Sequence, residues 1–230
     1  MPKFSSIWPA QDCALCGAVS GDALLCDACD GGLPRLGPAC ARCALPLARE
    51  ARFCGRCLHK RRPAVDDAIA VFEYRFPIDR LVQRFKFAGD LAFGRELGAR
   101  LAARAAGATR PHRLVVPPLS KRRLRERGFN QALEIAKVVA RALDVPCDGK
   151  SLVRTRDTDP QHELDRRMRL ANLRGAFACT RRFDGEHVVI VDDVVTTGAT
   201  AETLARLVKQ AGARRLGVWA VARTPDPALG

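Results

Sequence analysis

Apolar and polar positions alternate between residues 66 and 75, a stretch rich in Val, Phe and Tyr, and this period of two predicts a strand. Beyond Pro77 the period changes. Ile78, Leu81, Val82 and Phe85 recur at helical spacing, and residues Leu91 to Ala105 continue as a second helix. Leu114-Val115-Val116 is a short apolar strand ended by Pro117-Pro118, and Ala132 to Leu143 carries the Ala, Ile and Val stripe of a further helix. His187 to Val191 is nearly continuously apolar, as a strand buried on both faces must be. Ala199 to Gln210 reads as a helix and Leu216 to Val221 as another buried strand. Strand and helix thus alternate, which predicts an α/β fold, a parallel sheet with helices on both sides. In such sheets ligands lie beyond the carboxyl ends of the strands, so motifs there are the first candidates for function.

The first sixty residues follow neither period. They hold four Cys-x-x-Cys pairs: Cys13 and Cys16, Cys26 and Cys29, Cys40 and Cys43, Cys54 and Cys57. Nine residues separate the first two pairs and ten the last two, so each half reads as two thiolate-bearing turns joined by a short connection. Two such turns supply the tetrahedron of sulfurs, each about 2.3 Å from the ion, that Zn²⁺ accepts. The segment lacks the apolar residues for a core of its own, so bound metal must supply the folding energy that burial cannot. Disulfides, a redox Cys-x-x-Cys and rubredoxin-like iron are the rival readings. Repetition of the paired spacing and the lack of a strand-helix context around any redox motif favour zinc. One or two sites fit, and spacing leaves open which pairs share an ion. Cys147 and Cys179 stand alone and suit core packing. The basic, proline-bearing turn Arg61 to Pro63 divides the chain into a cysteine-rich zinc-ribbon module, residues 1–63, and an α/β domain, residues 64–230.

Composition narrows the partners. No apolar run approaches the roughly 18 residues that span a bilayer, so membrane insertion is not expected. Residues Met1 to Cys13 carry no apolar stretch of the secretory kind, and a cytoplasmic location is the expectation. The formal charge of +14 points to an anionic partner. It is concentrated: residues 110–127 hold seven Lys or Arg against one acid, and residues 150–182 nine against four. Genome-driven richness in Arg would produce the same charge, so charge does not by itself separate nucleic acid from small phosphates.

Two motifs at strand ends are more specific. The strand Val188 to Val191 runs into Asp192-Asp193 and then Val194-Val195-Thr196-Thr197-Gly198-Ala199-Thr200 before the next helix. Paired carboxylates at a strand tip accept hydrogen bonds from vicinal ribose hydroxyls or hold Mg²⁺ through water. The hydroxyl-rich turn offers O–H and N–H groups to a phosphate at a helix N-terminus. A sugar phosphate fits both halves, whereas an Asp-Asp pair alone would be an ordinary capped turn. Pro117-Pro118-Leu119-Ser120-Lys121-Arg122-Arg123 sets backbone amides and three cations at another strand end, which suits a pyrophosphate group.

Residues Val188 to Thr200 resemble the signature of type I phosphoribosyltransferases for 5-phosphoribosyl 1-pyrophosphate (PRPP). Over nearly its full length the chain resembles the ComF family, in which a cysteine module precedes a phosphoribosyltransferase domain. The shared features include Phe85-Lys86-Phe87-Ala88-Gly89-Asp90, the run Lys121 to Gln131, Thr158, Gln161, Leu164, Arg169, Asn172 and Gly175-Ala176-Phe177. Val116-Pro117-Pro118-Leu119 departs from the more usual Pro-Val-Pro-Leu and puts the geometry of that loop in question. The resemblance implies a Rossmann-like sheet, PRPP as ligand with Mg²⁺, and a role in competence, the uptake of transforming DNA. It further implies that Asp192 and Asp193 meet the ribose at the reacting centre. Thr196, Thr197, Gly198, Ala199 and Thr200 would hold the 5-phosphate, and Lys121 with Arg122 the pyrophosphate. Single-stranded DNA and DNA-uptake proteins are the implied partners. No general base is identified, since His112, His162 and His187 are unaccompanied. The charged stretch Arg154 to Arg169 reads equally as a lid over the site or a plain surface loop. An enzyme transferring phosphoribosyl groups and a non-catalytic PRPP-responsive DNA-binding protein are the two functions in play.

Overall fold

The computed structural model describes residues 11–61, 63–156 and 175–225. The expected lid beyond Arg156, with Thr158, Gln161, His162, Leu164, Arg169 and Asn172, lies outside the described residues.

Regular structure in the cysteine module is sparse: an antiparallel pair, β1 (Gln11–Asp12) and β2 (Val19–Gly21), and two short helices, α1 (Asp27–Gly31) and α2 (Gly55–Leu58). Each helix starts directly after a cysteine in extended conformation, Cys26 and Cys54. The second Cys of each later pair therefore lies on a first helical turn, close to its partner.

The remainder is a five-stranded sheet with helices on both faces. Its strands are β3 (Asp67–Glu73), β4 (Arg113–Val115), β5 (Cys147–Asp148), β8 (His187–Val195) and β9 (Arg215–Arg223), in the order β3-β9-β8-β4-β5 with every pairing parallel. A separate antiparallel pair, β6 (Leu152–Arg154) and β7 (Phe177–Cys179), lies outside it. The helices are α3 (Ile78–Phe87), α4 (Leu91–Ala105), α5 (Lys121–Arg127), α6 (Gln131–Leu143) and α7 (Ala199–Gln210).

The strand period decides which layer each residue joins. On β8, Val189 and Val191 pack with α3, α4 and α6, while Val188 and Ile190 pack with α7 on the opposite face. Trp219 and Val221 of β9 join the first layer, and Leu216, Val218 and Ala220 the second. This two-sided burial is why both strands read as apolar runs rather than alternations. The four apolar positions read for α3, Ile78, Leu81, Val82 and Phe85, are all buried.

Two elements differ from the sequence reading. The strand read as ending at Val191 continues to Val195, because β9 keeps pairing with it through Val194 opposite Ala222 and Val195 opposite Arg223. The basic run after Pro118 is the helix α5 rather than an open loop. Ser120 caps its start by accepting a hydrogen bond from Arg123 N–H at 3.2 Å, and Gly128, at φ 78°, ends it in the left-handed region. Among the described residues, no helix is long and apolar enough to cross a membrane.

Candidate functional site

The site is built where β4 stops short. That strand pairs with β8 only as far as Val115 opposite Ile190, so beyond this point β8 runs on along β9 with its other flank open. Asp192 and Asp193 occupy the freed stretch. Their carboxylates take up local backbone donors: Asp193 N–H donates to Asp192 Oδ1 at 2.9 Å, and Val194 N–H to Asp193 Oδ1 at 2.7 Å. The two acids are thereby oriented along the strand end.

A cleft of about 240 Å³ opens in front of them. Asp192, Asp193, Thr196 and Thr200 form one wall, Pro117, Pro118 and Leu119 the floor of the loop after β4, and Arg123, Arg127, Asn130 and Gln131 the facing wall. Tyr74 and Lys86 close the end nearest β3. Lys86 Nζ lies 2.6 Å from Asp193 Oδ2, and both side chains are largely buried. Burial works against the charge of Asp193, but the Lys86 ammonium outweighs it and holds this carboxyl below the ordinary carboxylate range. Asp192 goes the other way: burial, followed by the neighbouring Asp193, raises it well above that range. The pair behaves as a coupled unit in which one acid keeps its proton longer than the other.

The facing wall is cationic and tightly organised. Asn130 caps α6 and its Nδ2 donates to Pro117 O at 3.0 Å, which ties the loop after β4 to the helix. Arg127 Nη1 donates to Gln131 Oε1 at 2.9 Å, and its guanidinium lies 5.4 Å above the Phe87 ring. Burial and then the nearby Arg123 press against the Arg127 charge, with attraction from Asp193 partly offsetting them. An anion entering between these groups would relieve that repulsion. Gln131 is 2% exposed, and its Nε2 has no hydrogen-bond partner among the described residues, so a buried donor lines the cleft in want of an acceptor.

The turn from β8 to α7 divides its residues between two sides. Thr196 and Thr200 face the cleft. Thr197 Oγ1 accepts from Ala199 N–H at 3.3 Å, Ala199 is buried, and Thr197 and Gly198 border a smaller cavity of about 50 Å³ behind the turn. Gly198 sits at φ 76°, a conformation few other residues adopt, and as N-cap it has no side chain to cap α7. The first-turn N–H groups beyond Ala199 are left for an anion at the helix start.

Lys121 and Arg122, expected at a pyrophosphate, do not line this cleft; both are exposed, and Arg122 pairs with Glu126 at 3.7 Å. Helix formation is the reason, since Arg123 and Arg127 share one face by their i, i+4 spacing while Lys121 and Arg122 point elsewhere. Lys86, Arg127, Asn130 and Gln131 had no assigned site role from the sequence, and Arg123 is the one of the three cations read at the pyrophosphate that lines the cleft. The Ser120 cap and the Gly128 stop around a run of good helix formers were the signal that would have turned Arg123 and Arg127 inward.

In the cysteine module the Sγ atoms of Cys13, Cys16, Cys26 and Cys29 form one cluster and those of Cys40, Cys43, Cys54 and Cys57 another, all within 4.8 Å of one another in each. Consecutive pairs therefore share a site, and the interleaved arrangement is excluded. Cys16 and Cys26 sulfurs lie 3.7 Å apart, as do those of Cys43 and Cys54. That is close to the roughly 3.8 Å edge of a tetrahedron with zinc–sulfur bonds of about 2.3 Å, and far from a disulfide of about 2.05 Å. Backbone N–H groups, that of Cys26 foremost, lower the Cys13 thiol to about 6, whereas the neighbouring Cys16 and Cys13 sulfurs push Cys29 up to about 12, so four thiolates would need a cation among them. Both clusters fit structural zinc.

Residues 4–58 match the double zinc ribbon domain family, and residues 130–229 the phosphoribosyl transferase domain family. The chain is 36% identical over 206 residues to the DNA utilization protein YhgH of Salmonella typhimurium, covering 87% of this chain and 90% of that protein. To competence protein F of Haemophilus influenzae it is 33% identical over 208 residues, covering 86% and 90%. Among solved structures, the purine phosphoribosyltransferase of Pyrococcus horikoshii matches 68% of this chain and 88% of its own at 17% identity and a TM-score of 0.33.

Proposed function

Because this chain belongs to the family of competence protein F and the DNA utilization protein YhgH, we propose that it binds PRPP in the cleft before Asp192 and Asp193 and transfers its phosphoribosyl group to an acceptor during DNA uptake or utilization. One observation carries this reading: paired carboxylates, two threonines at a helix start and a cationic wall line a single cleft. They complement the three groups that PRPP presents, a diol, a phosphate and a pyrophosphate.

In the transfer, the bond between the anomeric carbon and pyrophosphate loosens while positive charge develops on the ribose ring. Asp192 and Asp193 accept hydrogen bonds from the ribose hydroxyls and place negative charge beside the ring. Thr196, Thr200 and the first turn of α7 hold the 5-phosphate, which fixes the sugar relative to the carboxylates. Arg123 and Arg127 face the departing pyrophosphate, and the unpartnered Gln131 amide donates to one of its oxygens. Asp192 and Asp193 would be the residues to hold Mg²⁺ brought with PRPP, which would supply charge neutralisation to the leaving group. Lys86 keeps Asp193 ionised in a site where burial disfavours it. The eight clustered thiolates are best preserved in a reducing compartment, in keeping with the cytoplasm.

Calorimetric titration with PRPP and Mg²⁺ tests the reading. The unaltered chain should bind, and Asp192→Asn with Asp193→Asn should abolish binding; equal affinity in both proteins would refute it. A second reading, a non-catalytic protein that holds single-stranded DNA and responds to PRPP, is favoured by Phe87, 75% exposed beneath the Arg127 guanidinium, and by Phe76, 69% exposed. Release of pyrophosphate in the presence of bases, amines or oligonucleotides supports transfer. Salt-sensitive oligonucleotide binding without release supports the second reading.

A further inference from the structure

Arg223 is the last residue of β9 and is 2% exposed. Its guanidinium reaches in two directions. Nε donates to Cys43 O at 3.1 Å, within the second four-cysteine cluster. Nη1 donates to Val195 O at 3.0 Å, to Thr224 O at 2.6 Å and to Thr196 O. Val195 ends β8 and Thr196 opens the turn that leads into α7 and faces the ligand cleft. A single planar cation thus joins the backbone of a metal-binding knuckle to the backbone of the anion-binding turn. Arginine suits the place: Val195 O also takes the Thr224 N–H at 3.0 Å, and only a guanidinium presents several further donors in a rigid fork for the Thr196, Thr224 and Cys43 carbonyls around it.

A second contact runs parallel to the first. Lys60, three residues beyond Cys57, forms an ion pair with Glu202, which is 5% exposed in the first turn of α7. Between the two contacts lies the small cavity behind the turn, bordered by Cys43 and Cys57 on one side and by Val195, Thr197 and Gly198 on the other. The second ribbon therefore backs the same turn whose opposite face meets the cleft. No corresponding contact to this turn comes from the first ribbon among the described residues. Its polar contacts go to α3 and α4, through Arg84 to Ala14 O at 2.9 Å and Arg100 to Asp30 at 2.5 Å.

We propose that Arg223 is a positioning residue that couples the second four-cysteine cluster to the phosphate-binding turn, so that metal held by Cys40, Cys43, Cys54 and Cys57 strengthens PRPP binding and bound PRPP retains that metal. The coupling rests on the PRPP reading given above. It is a linkage and therefore acts equally in both directions. Metal fixes the Cys40–Cys43 knuckle and with it the Cys43 carbonyl. Arg223 then holds Val195 and Thr196 in the conformation that aims Thr196, Thr200 and the α7 N–H groups into the cleft. Without the metal, the Cys43 carbonyl is no longer fixed, and the turn samples other conformations that bind phosphate less well.

The test uses the full chain loaded with zinc. Zinc release to a chromophoric chelator is followed with and without PRPP and Mg²⁺, while mass spectrometry records which cysteines become open to alkylation. PRPP should slow loss of zinc and alkylation at Cys40, Cys43, Cys54 and Cys57 by about fivefold or more, the lower end of ordinary coupling, and leave Cys13, Cys16, Cys26 and Cys29 unchanged. Arg223→Lys, which keeps the charge without the fork, should retain both zinc ions and lose most of the protection. Calorimetry on the same samples separates the two levels of the proposal. Failure of the unaltered chain to bind PRPP overturns the reading of the cleft and the coupling with it. Binding with no change at the second cluster overturns the coupling alone. Equal protection of both clusters, full protection in Arg223→Lys, or protection persisting when Asp192→Asn and Asp193→Asn have removed binding each overturn it as well. The experiment on the unaltered chain stands even where a substitution at Arg223 prevents folding.

Discussion

The two four-cysteine clusters have the same ligands and the same local design, yet they stand in different surroundings. In the first, Cys13 is buried, Cys16 is exposed, and the module is held mainly by apolar packing, with Leu25 and Leu33 entering the core beneath α3 and α4. In the second, Cys40, Cys54 and Cys57 are all buried in a small core of their own with Leu45 and Phe53. Arg42 lies 4.4 Å above the Phe53 ring and donates to Cys57 O at 2.6 Å. That second core is fastened to the turn between β8 and α7 by donors and charges, through Arg223 and Lys60. Apolar contacts are non-directional and fix where a module sits; hydrogen bonds from a guanidinium fix the orientation of individual carbonyls. On the proposed coupling, the first ribbon serves to stabilise and the second to shape the cleft.

Removing one ligand from each cluster gives the largest expected contrast. Structural zinc contributes on the order of 10 kcal/mol to small cysteine modules, so Cys57→Ala should release the second knuckle and raise the dissociation constant for PRPP by about thirtyfold, within the usual range of coupling energies. Cys16→Ala should lose one zinc as well but change PRPP affinity by no more than about twofold. Metal analysis confirms the stoichiometry and calorimetry reads the affinity. Equal losses in the two variants would erase the distinction between the ribbons.

This distinction was only half legible in the sequence. The spacing of the four pairs announces metal knuckles, one or two, and the apolar run of β8 leading into two acids and a threonine-rich turn announces the proposed sugar-phosphate site, because both depend on residues close in the chain. The sheet core was legible for the same reason: Val188 to Val191 and Leu216 to Val221 are continuously apolar since both faces are covered. What could not be read were the joints. Arg223 is distant in sequence from Cys43, and Lys60 from Glu202, and no periodicity relates them. Lys86 was visible only as part of a motif, since its role depends on α3 delivering it to the end of β8. The β6–β7 pair and the two-residue edge strand β5 are too short to produce a pattern. Arg127, and the inward face it shares with Arg123, were hidden by taking a capped helix for a loop.

A change in the cleft itself sharpens the comparison from the other side. Lys86→Met removes the cation that holds Asp193 below the ordinary carboxylate range. Asp193 should then titrate higher, so that both acids of the pair, and not Asp192 alone, resist ionisation. The predicted loss is about tenfold in PRPP affinity, equivalent to about one pKa unit of lost interaction, and it should shrink as rising pH ionises the pair. The unaltered protein should show a flatter dependence over the same range, because its Asp193 is ionised and only Asp192 still titrates high. Zinc retention in the absence of PRPP should be untouched, since Lys86 contacts neither ribbon in the described interactions. Calorimetry between pH 6 and 9 reads the first effect and chelator kinetics the second. Affinity that falls further with rising pH would reverse the assigned role of Lys86.

The smallest effect belongs to the ion pair that flanks the Arg223 joint. Burial opposes the charge of Glu202, but Lys60, and after it Arg206, outweigh burial and keep the carboxyl below its ordinary 4.5. A carboxyl lowered by folding stabilises the folded state above the unfolded value and loses that contribution only as pH drops through the folded one. Lys60→Met should therefore destabilise by a constant amount between pH 6 and 8. Arg206, 3.1 Å from Glu202 but itself 64% exposed, remains as partner, so the cost should be about 1 kcal/mol, a fall of roughly 2–4 °C in Tm for a chain of this size. The matching change in the first ribbon, Asp30→Asn, loosens the pair with Arg100, whose side chains are 32% and 20% exposed. It should cost less, about 0.5 kcal/mol, and leave PRPP affinity unaltered, whereas Lys60→Met should weaken PRPP binding by about threefold. Should Asp30→Asn weaken PRPP binding as much as Lys60→Met, contact with α7 would not be what sets the second ribbon apart.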